Sequence, residues 1–310
     1  MYDLISIGSI TRDIFVPTDR GKNFKTPKNK LAPIWLAFEL GEKISVDEVV
    51  ETSGGVANNL SIGTKKLGLK SAPLGSVSPA TSIILIDKKT GERVIFYQKS
   101  SGAIDISKIG KIKTKWLSVS SLTGKWTRQA DQILAYIKKN KTGLILLPST
   151  SQIRDDFPDL KRLSKVAKIL ILNRNEALEI ASKLKNKAEN IKDLFKLLHN
   201  LGSETICCIT DGTKGANCSD SKKIYHMPIR KVKTVDVTGA GDAFASGFLG
   251  IFLKDVGGAY MRPGGEKAAY MRPLLEKSLK AGIINSASVV QYIGTTKGLL
   301  TRNEILSKMK

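Results

Sequence analysis

The stretch from Asp236 to Leu249 reads DVTGAGDAFASGFL: Gly239 and Gly241 flank Ala240, and an acid, Asp242, follows at the head of an apolar segment. Glycine in a helix interior costs about 0.5 to 1 kcal/mol relative to alanine, so this pair belongs at a helix start, where the backbone must turn tightly. A helix start leaves about four amide N–H groups unpaired and carries partial positive charge. The chemistry on offer is anion binding, with a carboxylate standing beside the anion.

Four further places carry polar groups at spacings that suit a ligand. In IGSITRD, Asp13 follows five residues after Gly8, as a turn residue or as a carboxylate at a strand end. In TSGGVANNLSIGTKKLG, Gly54 and Gly55 open a helix with Asn58 in its first turn. Paired glycines let a ligand approach the backbone, and an amide offers a hydroxyl both donor and acceptor; the same residues also make an ordinary glycine-rich helix start. In ILNRNEALEI, Asn173 and Glu176 follow a buried run three residues apart. Their oxygens suit Mg²⁺ or its water shell, and equally an N-cap with its capping-box acid. In TDGTKGA, Thr210, Gly212 and Gly215 fit either a loop around a nucleotide or a tight hairpin.

Two motifs fail. Gly63 and Gly68 are followed by Leu69 where a phosphate-binding P-loop requires Lys, and Gly239-x-Gly241 is followed by Phe244 instead of the third glycine of a dinucleotide fingerprint. Binding of NAD is disfavoured.

These groups must be held by regular elements. The apolar runs Leu4 to Ile7, Trp116 to Val119, Leu144 to Leu147, Ile169 to Leu172 and Thr205 to Ile209 predict buried strands. Helical periodicity lies between them at Val56 to Leu67, Ala130 to Ile137, Glu176 to Leu184 and Ile191 to Leu198. The alternation predicts an α/β fold with a largely parallel sheet. Ile14 to Thr52 is irregular with short β-like pieces, and Ser82 to Gln98 is a hairpin around Lys-Lys-Thr-Gly; together they predict a small β-rich flap. AYMRP occurs at Ala259 to Pro263 and again at Ala269 to Pro273, which reads as a loop insertion.

With 310 residues and 41% apolar content the chain can fill a substantial core. Its three cysteines and two histidines show no metal-ligand spacing, and Cys207 and Cys208 read as small core residues. The start MYDLISIGSI lacks the pattern of a signal peptide, and no apolar run approaches the roughly 20 residues that span a bilayer, so a reducing cytoplasm fits best. A net charge of +22 comes from lysines scattered in pairs such as Lys65-Lys66, Lys88-Lys89 and Lys138-Lys139, with few aromatics beside them. That is a solvated basic surface able to attract anionic substrates, not the stripe of a nucleic-acid binder.

From Ile5 to about Ile305 the sequence resembles the ribokinase-like (PfkB) carbohydrate kinase family, on the glycine-rich stretch Ser53 to Gly68 and, more specifically, on Asp-x-Thr-Gly-Ala-Gly-Asp at Asp236 to Asp242. The resemblance implies one domain over 1–310, with a three-layer α/β/α body, a mainly parallel sheet and a small β-sheet lid from about 13–52 and 82–98. It implies an ATP-dependent kinase acting on an alcohol group of a sugar or sugar-like molecule. The alternatives are a nucleoside kinase of the adenosine type and a catalytically impaired member acting as a binding protein. By the same resemblance Asp242 is the base, and Gly239, Ala240 and Gly241 form the anion hole. Asn173 and Glu176 organise Mg²⁺ through water, and Thr210, Gly212 and Gly215 hold the nucleotide. Asp13, Gly55 and Asn58 grip the acceptor, and Asp236 lies near a monovalent cation, K⁺, in some members. Pairing of two copies through the lid is a further implication. Phosphoryl transfer needs in-line alignment and charge compensation more than covalent help, which gives an acid beside an anion site its purpose.

Two departures stand out. GGVAN replaces the Gly-Gly-Lys-Gly-Ala-Asn of ribokinases proper, and about one supersecondary unit is lacking around Ser78 to Thr81, which would alter one wall of the acceptor pocket.

Overall fold

A computed structural model describes residues 1–26, 34–76, 79–98, 104–122, 126–202, 205–256 and 267–309. The first part of the chain is strand-rich: β1 (Tyr2–Ile7), β2 (Thr11–Thr18), β3 (Lys22–Lys25), β4 (Ile34–Ala37), β5 (Val50–Gly54), then α1 (Val56–Lys66), β6 (Ser71–Leu74), β7 (Ala80–Asp87) and β8 (Arg93–Gln98). Strand and helix then alternate through β9 (Thr114–Val119), α2 (Thr127–Asn140), β10 (Gly143–Leu146), α3 (Thr150–Asp155), α4 (Phe157–Ser164), β11 (Ile169–Asn173), α5 (Arg174–Lys183) and α6 (Ile191–Leu201). The remainder comprises β12 (Ile206–Thr210), β13 (Ala216–Ser219), β14 (Ile224–Met227), α7 (Ala240–Asp255), α8 (Lys267–Val289) and α9 (Arg302–Met309).

Among the described residues the main sheet has eight strands in the order β14-β13-β12-β11-β10-β9-β1-β6. All its pairs are parallel except β12 with β13 and β13 with β14. Successive side chains on a strand point to opposite faces, so continuous apolar runs bury both. Ile5, Ile7, Leu117, Val119, Leu170, Leu172 and Cys207 pack against side chains of α2, α4, α5 and α6. Leu4, Trp116, Ile145, Ile169, Ile171 and Cys208 pack against α7, α8 and Leu60 of α1. The result is the expected three-layer α/β/α body, with Cys207 and Cys208 fully buried on its two faces. Helix α7 is buried continuously from Ala243 to Leu253, which explains why its sequence shows no polar stripe.

A second sheet of four strands, ordered β5-β2-β7-β8, occupies the region expected to form the flap. The β7–β8 pair is the antiparallel hairpin that Lys-Lys-Thr-Gly predicts, while β3 and β4 form a separate ribbon. Between Leu74 and Ala80 the described residues contain no helix or strand; the chain passes almost directly from edge strand β6 to β7, where the shortened connection is expected, and residues 77–78 lie outside the described residues.

The AYMRP repeat requires a correction. Its first copy lies outside the described residues, but the second belongs to α8, with Pro273 inside the helix and Met271 and Leu274 buried in the core. A tolerated proline conceals this helix from sequence reasoning, because proline ordinarily breaks a helix interior. Among the described residues no helix is long and apolar enough to cross a membrane.

Candidate active site

Strands β1, β9, β10, β11 and β12 run parallel, so their carboxyl ends share one edge of the sheet. The chain leaves β1 for β6 on one side, while β9 to β12 extend on the other. Such a switch in strand order opens a crevice outside the strand ends, where α/β folds bind ligands. A cavity of about 780 Å³ lies there, lined by Ser9 after β1, Ser121 after β9, Ser149 after β10, the α7 start and Asp13 and Ser82 of the second sheet. A smaller cavity of about 170 Å³ adjoins it, lined by Asn173, Glu176, Thr210 and Gly241. Asp242 lines both.

Helix α7 begins at Gly239, whose φ of 77° is left-handed. A Cβ there would also collide with Thr295, so only glycine brings the helix start this close to that loop. The expected three-residue anion hole is reduced by one donor: Ala240 N–H is tied back to the Val237 carbonyl at 3.2 Å. Among the described residues the N–H groups of Gly239 and Gly241 make no hydrogen bond within the protein, and Gly241 is exposed at the smaller cavity.

The Asp242 carboxylate is half-buried. Asn59 Nδ2 donates to its Oδ2 at 2.7 Å, and Asn59 Oδ1 accepts from Thr295 Oγ1 at 3.0 Å, which joins α1, α7 and the 295 loop. Burial pushes the Asp242 carboxyl up to about 6; the Asn59 bond opposes the rise and the charge of Asp13 adds to it. Asn59→Ala should therefore move the Asp242 pKa further up, as a carboxyl-carbon NMR titration would read directly.

Asp13 is 4% exposed and its carboxyl is raised by burial, with the Thr11 and Ser82 hydroxyls opposing. It packs against Gly54, where a Cβ would occupy the position of its carboxylate. Gly55 also lines the larger cavity, but the first amides of α1 are taken up by Ser9: Val56 N donates to Ser9 Oγ at 3.1 Å and Ala57 N to Ser9 O at 3.2 Å. Asn58 does not reach either cavity. It donates to Ser53 Oγ at 3.1 Å, while its neighbour Asn59 faces inward, because one residue along a helix is a turn of about 100°.

Asn173 and Glu176 form the reciprocal capping box: Glu176 N donates to Asn173 Oδ1 at 2.9 Å and Asn173 N to Glu176 Oε2 at 2.8 Å. Both also line the smaller cavity, so capping and ligand access coexist. Burial pushes the Glu176 carboxyl up to about 7; the Asn173 amide opposes this and the charge of Asp242 adds to it. Such a carboxyl would ionise readily beside a cation, and its hard oxygen suits Mg²⁺. Among the described residues no cluster of three or more His, Cys, Asp or Glu forms a metal site of its own. These two side chains fit Mg²⁺ as contributors beside water and phosphate oxygens.

Thr210 lines the smaller cavity, whereas Gly212 and Gly215 shape the turn between β12 and β13 and line neither cavity. Asp236 is fully buried: its Oδ1 accepts from Thr238 N at 2.8 Å and its Oδ2 from Gly294 N at 3.1 Å, joining the α7 approach to the 294 loop. Sequence reasoning missed Asn59, Thr11, Ser82, Tyr97 and Thr295. For Asn59 a signal exists, since it lies one turn before Gly63 on the buried face of α1; the others sit in strands and loops without a motif.

The sequence profile of the pfkB family carbohydrate kinases matches residues 78–302. The chain is 37% identical over 92 residues to a cytidine kinase of Thermococcus kodakarensis, which covers 29% of this chain and 31% of that protein. The chain thus spans under a third of the length of that relative. It is 26% identical over 310 aligned residues to an ATP-dependent 6-phosphofructokinase of Thermoanaerobacterium thermosaccharolyticum, covering 94% of this chain and 89% of the other. Among solved structures, ribokinase from Giardia lamblia superposes with a TM-score of 0.76 at 17% identity, covering 100% of this chain and 99% of that one. Arabidopsis thaliana ribokinase complexed with ribose and ATP gives 0.69 at 16% identity, covering 100% and 99%. These structures share the fold.

Proposed function

The chain belongs to the pfkB family of carbohydrate kinases, and on that premise we propose that it transfers the γ-phosphoryl group of ATP to a hydroxyl of a sugar or sugar-like molecule held in the larger cavity. The observation that carries this reading is the position of Asp242, shared by both cavities beside the amides of Gly239 and Gly241. Asp242 takes the proton of the attacking hydroxyl; general-base help of this kind is worth about 10²- to 10⁴-fold. A carboxyl titrating near 6 is mostly ionised at neutral pH and more basic than an ordinary aspartate. The two amides and the α7 dipole compensate charge on the transferring group.

In this reading the smaller cavity, with Asn173, Glu176 and Thr210, takes the phosphate side of the nucleotide, and the turn with Gly212 and Gly215 borders the rest of it. Mg²⁺, when bound, neutralises phosphate charge; Glu176 and Asn173 hold it through water. Asp13 and Gly55 position the acceptor, and Asn59 replaces Asn58 at that wall. The second sheet acts as a lid that excludes water. A monovalent ion such as K⁺ belongs to the loop that Asp236 ties to Gly294, and a rate increase with K⁺ at constant ionic strength reads this. Exposed Ile83, Val94 and Phe96 on the second sheet and Trp35 of the ribbon suit pairing of two copies. A nucleoside acceptor is the second reading, because Ile84, Ile95 and Tyr97 offer an apolar wall to a base.

The test is ADP release with Mg²⁺ and a panel of ribose, fructose, cytidine, adenosine and sugar phosphates. At least one acceptor should stimulate release well above its absence; no stimulation by any would overturn the reading. Asp13→Asn should raise the acceptor KM by about 10- to 100-fold, the worth of a charge-assisted hydrogen bond, with kcat less affected.

A further inference from the structure

The larger cavity is acidic in a strongly basic protein. Asp13, Asp155, Asp156 and Asp242 line it, and among the described residues it has no Lys, Arg or His, although the chain carries a net charge of +22. Its lining also carries apolar groups: Ile84, Ile95 and the Tyr97 ring on the same sheet as Asp13, and Leu122. One hydroxyl in it lacks a partner: Thr238 is 7% exposed, and its Oγ1 makes no hydrogen bond among the described residues. Buried polar atoms of this kind are normally satisfied, so a hydroxyl of a cavity lining without a partner selects a ligand that supplies one.

We propose that this cavity selects an uncharged or cationic polyol with an apolar or aromatic substituent, and rejects acceptors that already carry a phosphate or carboxylate. The proposal rests on the kinase reading for its chemistry, but the selection itself belongs to binding. An anionic acceptor would face the carboxylates of Asp13 and Asp155 in a partly desolvated space whose described lining holds no cation, Arg93 acting on Asp242 from outside that lining, and like-charge juxtaposition of that kind is how a site discriminates against a competitor. Thr238 Oγ1 beside Gly239 pairs with a hydroxyl of the polyol, and the apolar groups cover its substituent.

The experiment is calorimetric binding of cytidine, an aminodeoxy sugar and fructose 6-phosphate to the full chain without ATP, with ADP release followed in parallel. Cytidine or the amino sugar should bind at least about 100-fold more tightly than fructose 6-phosphate, a ratio within reach of charge repulsion at a partly buried site. Asp155→Lys should reduce that ratio by about tenfold or more, since one reversed charge at the rim replaces repulsion by attraction. Thr238→Val should weaken cytidine binding about tenfold and Thr238→Ser restore it, a rescue that a packing role would not give. Equal or tighter binding of fructose 6-phosphate, or binding of neither uncharged nor cationic probe, would overturn the proposal. Selective binding without ADP release would sustain it and sink the kinase reading instead.

Discussion

Asp242→Asn is expected to lower kcat by about 10²- to 10⁴-fold while leaving the KM of both substrates within a few-fold, since the change removes a proton acceptor that acts only as the bond forms. The same variant should be more stable at neutral pH. An acid whose folded pKa is raised binds more protons folded than unfolded, so its stability contribution is lost as pH rises from the ordinary carboxylate range through about 6. Asparagine keeps a neutral isostere in place, and the gain is on the order of 1 to 2 kcal/mol after allowance for solvent at a half-buried group. Glu176, raised to about 7 in part by the Asp242 charge, should titrate lower in the variant. Urea unfolding at neutral pH beside steady-state kinetics reads both effects. Loss of activity together with loss of stability would mark Asp242 as structural.

Gly239→Ala should be the most damaging single change at the α7 start. A left-handed φ costs a residue with a Cβ about 1 to 2 kcal/mol, and the collision with Thr295 adds to it. Because Thr295 also holds Asn59, and Asn59 holds Asp242, the displacement reaches the base as well as the amides. A fall in kcat of about 10²- to 10³-fold is expected, comparable to loss of one oxyanion donor, with a lower thermal midpoint. Gly241→Ala is the control: a Cβ there meets nothing within 4 Å among the described residues, so the thermal midpoint should hold and any effect should fall on activity alone. If the two variants behave alike, the left-handed turn is not what places the site.

The central strands were legible because both faces of the sheet are covered, which demands unbroken apolar runs such as Leu170 to Leu172. Strand β6, only Ser71–Leu74 with a proline inside it, and the short antiparallel β13 and β14 carry too few residues for a pattern to stand out. The start of α7 was legible because a glycine, Gly239, turns left-handed just before a buried helix. The inward amide of α1 was misplaced by one position, since composition does not fix helix rotation, and only the packing of Asn59 against Asp242 does. The glycines after β12 satisfied two descriptions at once, and the observed turn uses them for the hairpin. Nothing in the sequence paired Thr295 with Asn59, because 236 residues separate them.

The most direct test is the pH dependence of kcat/KM with the best acceptor. An acidic limb with a midpoint near 6 is expected, activity falling as Asp242 takes up a proton, together with a residual rate in Asp242→Asn that lacks this limb. A wild-type profile that stays flat through that region, or a variant that keeps the same limb, would contradict the assignment of the proton acceptor.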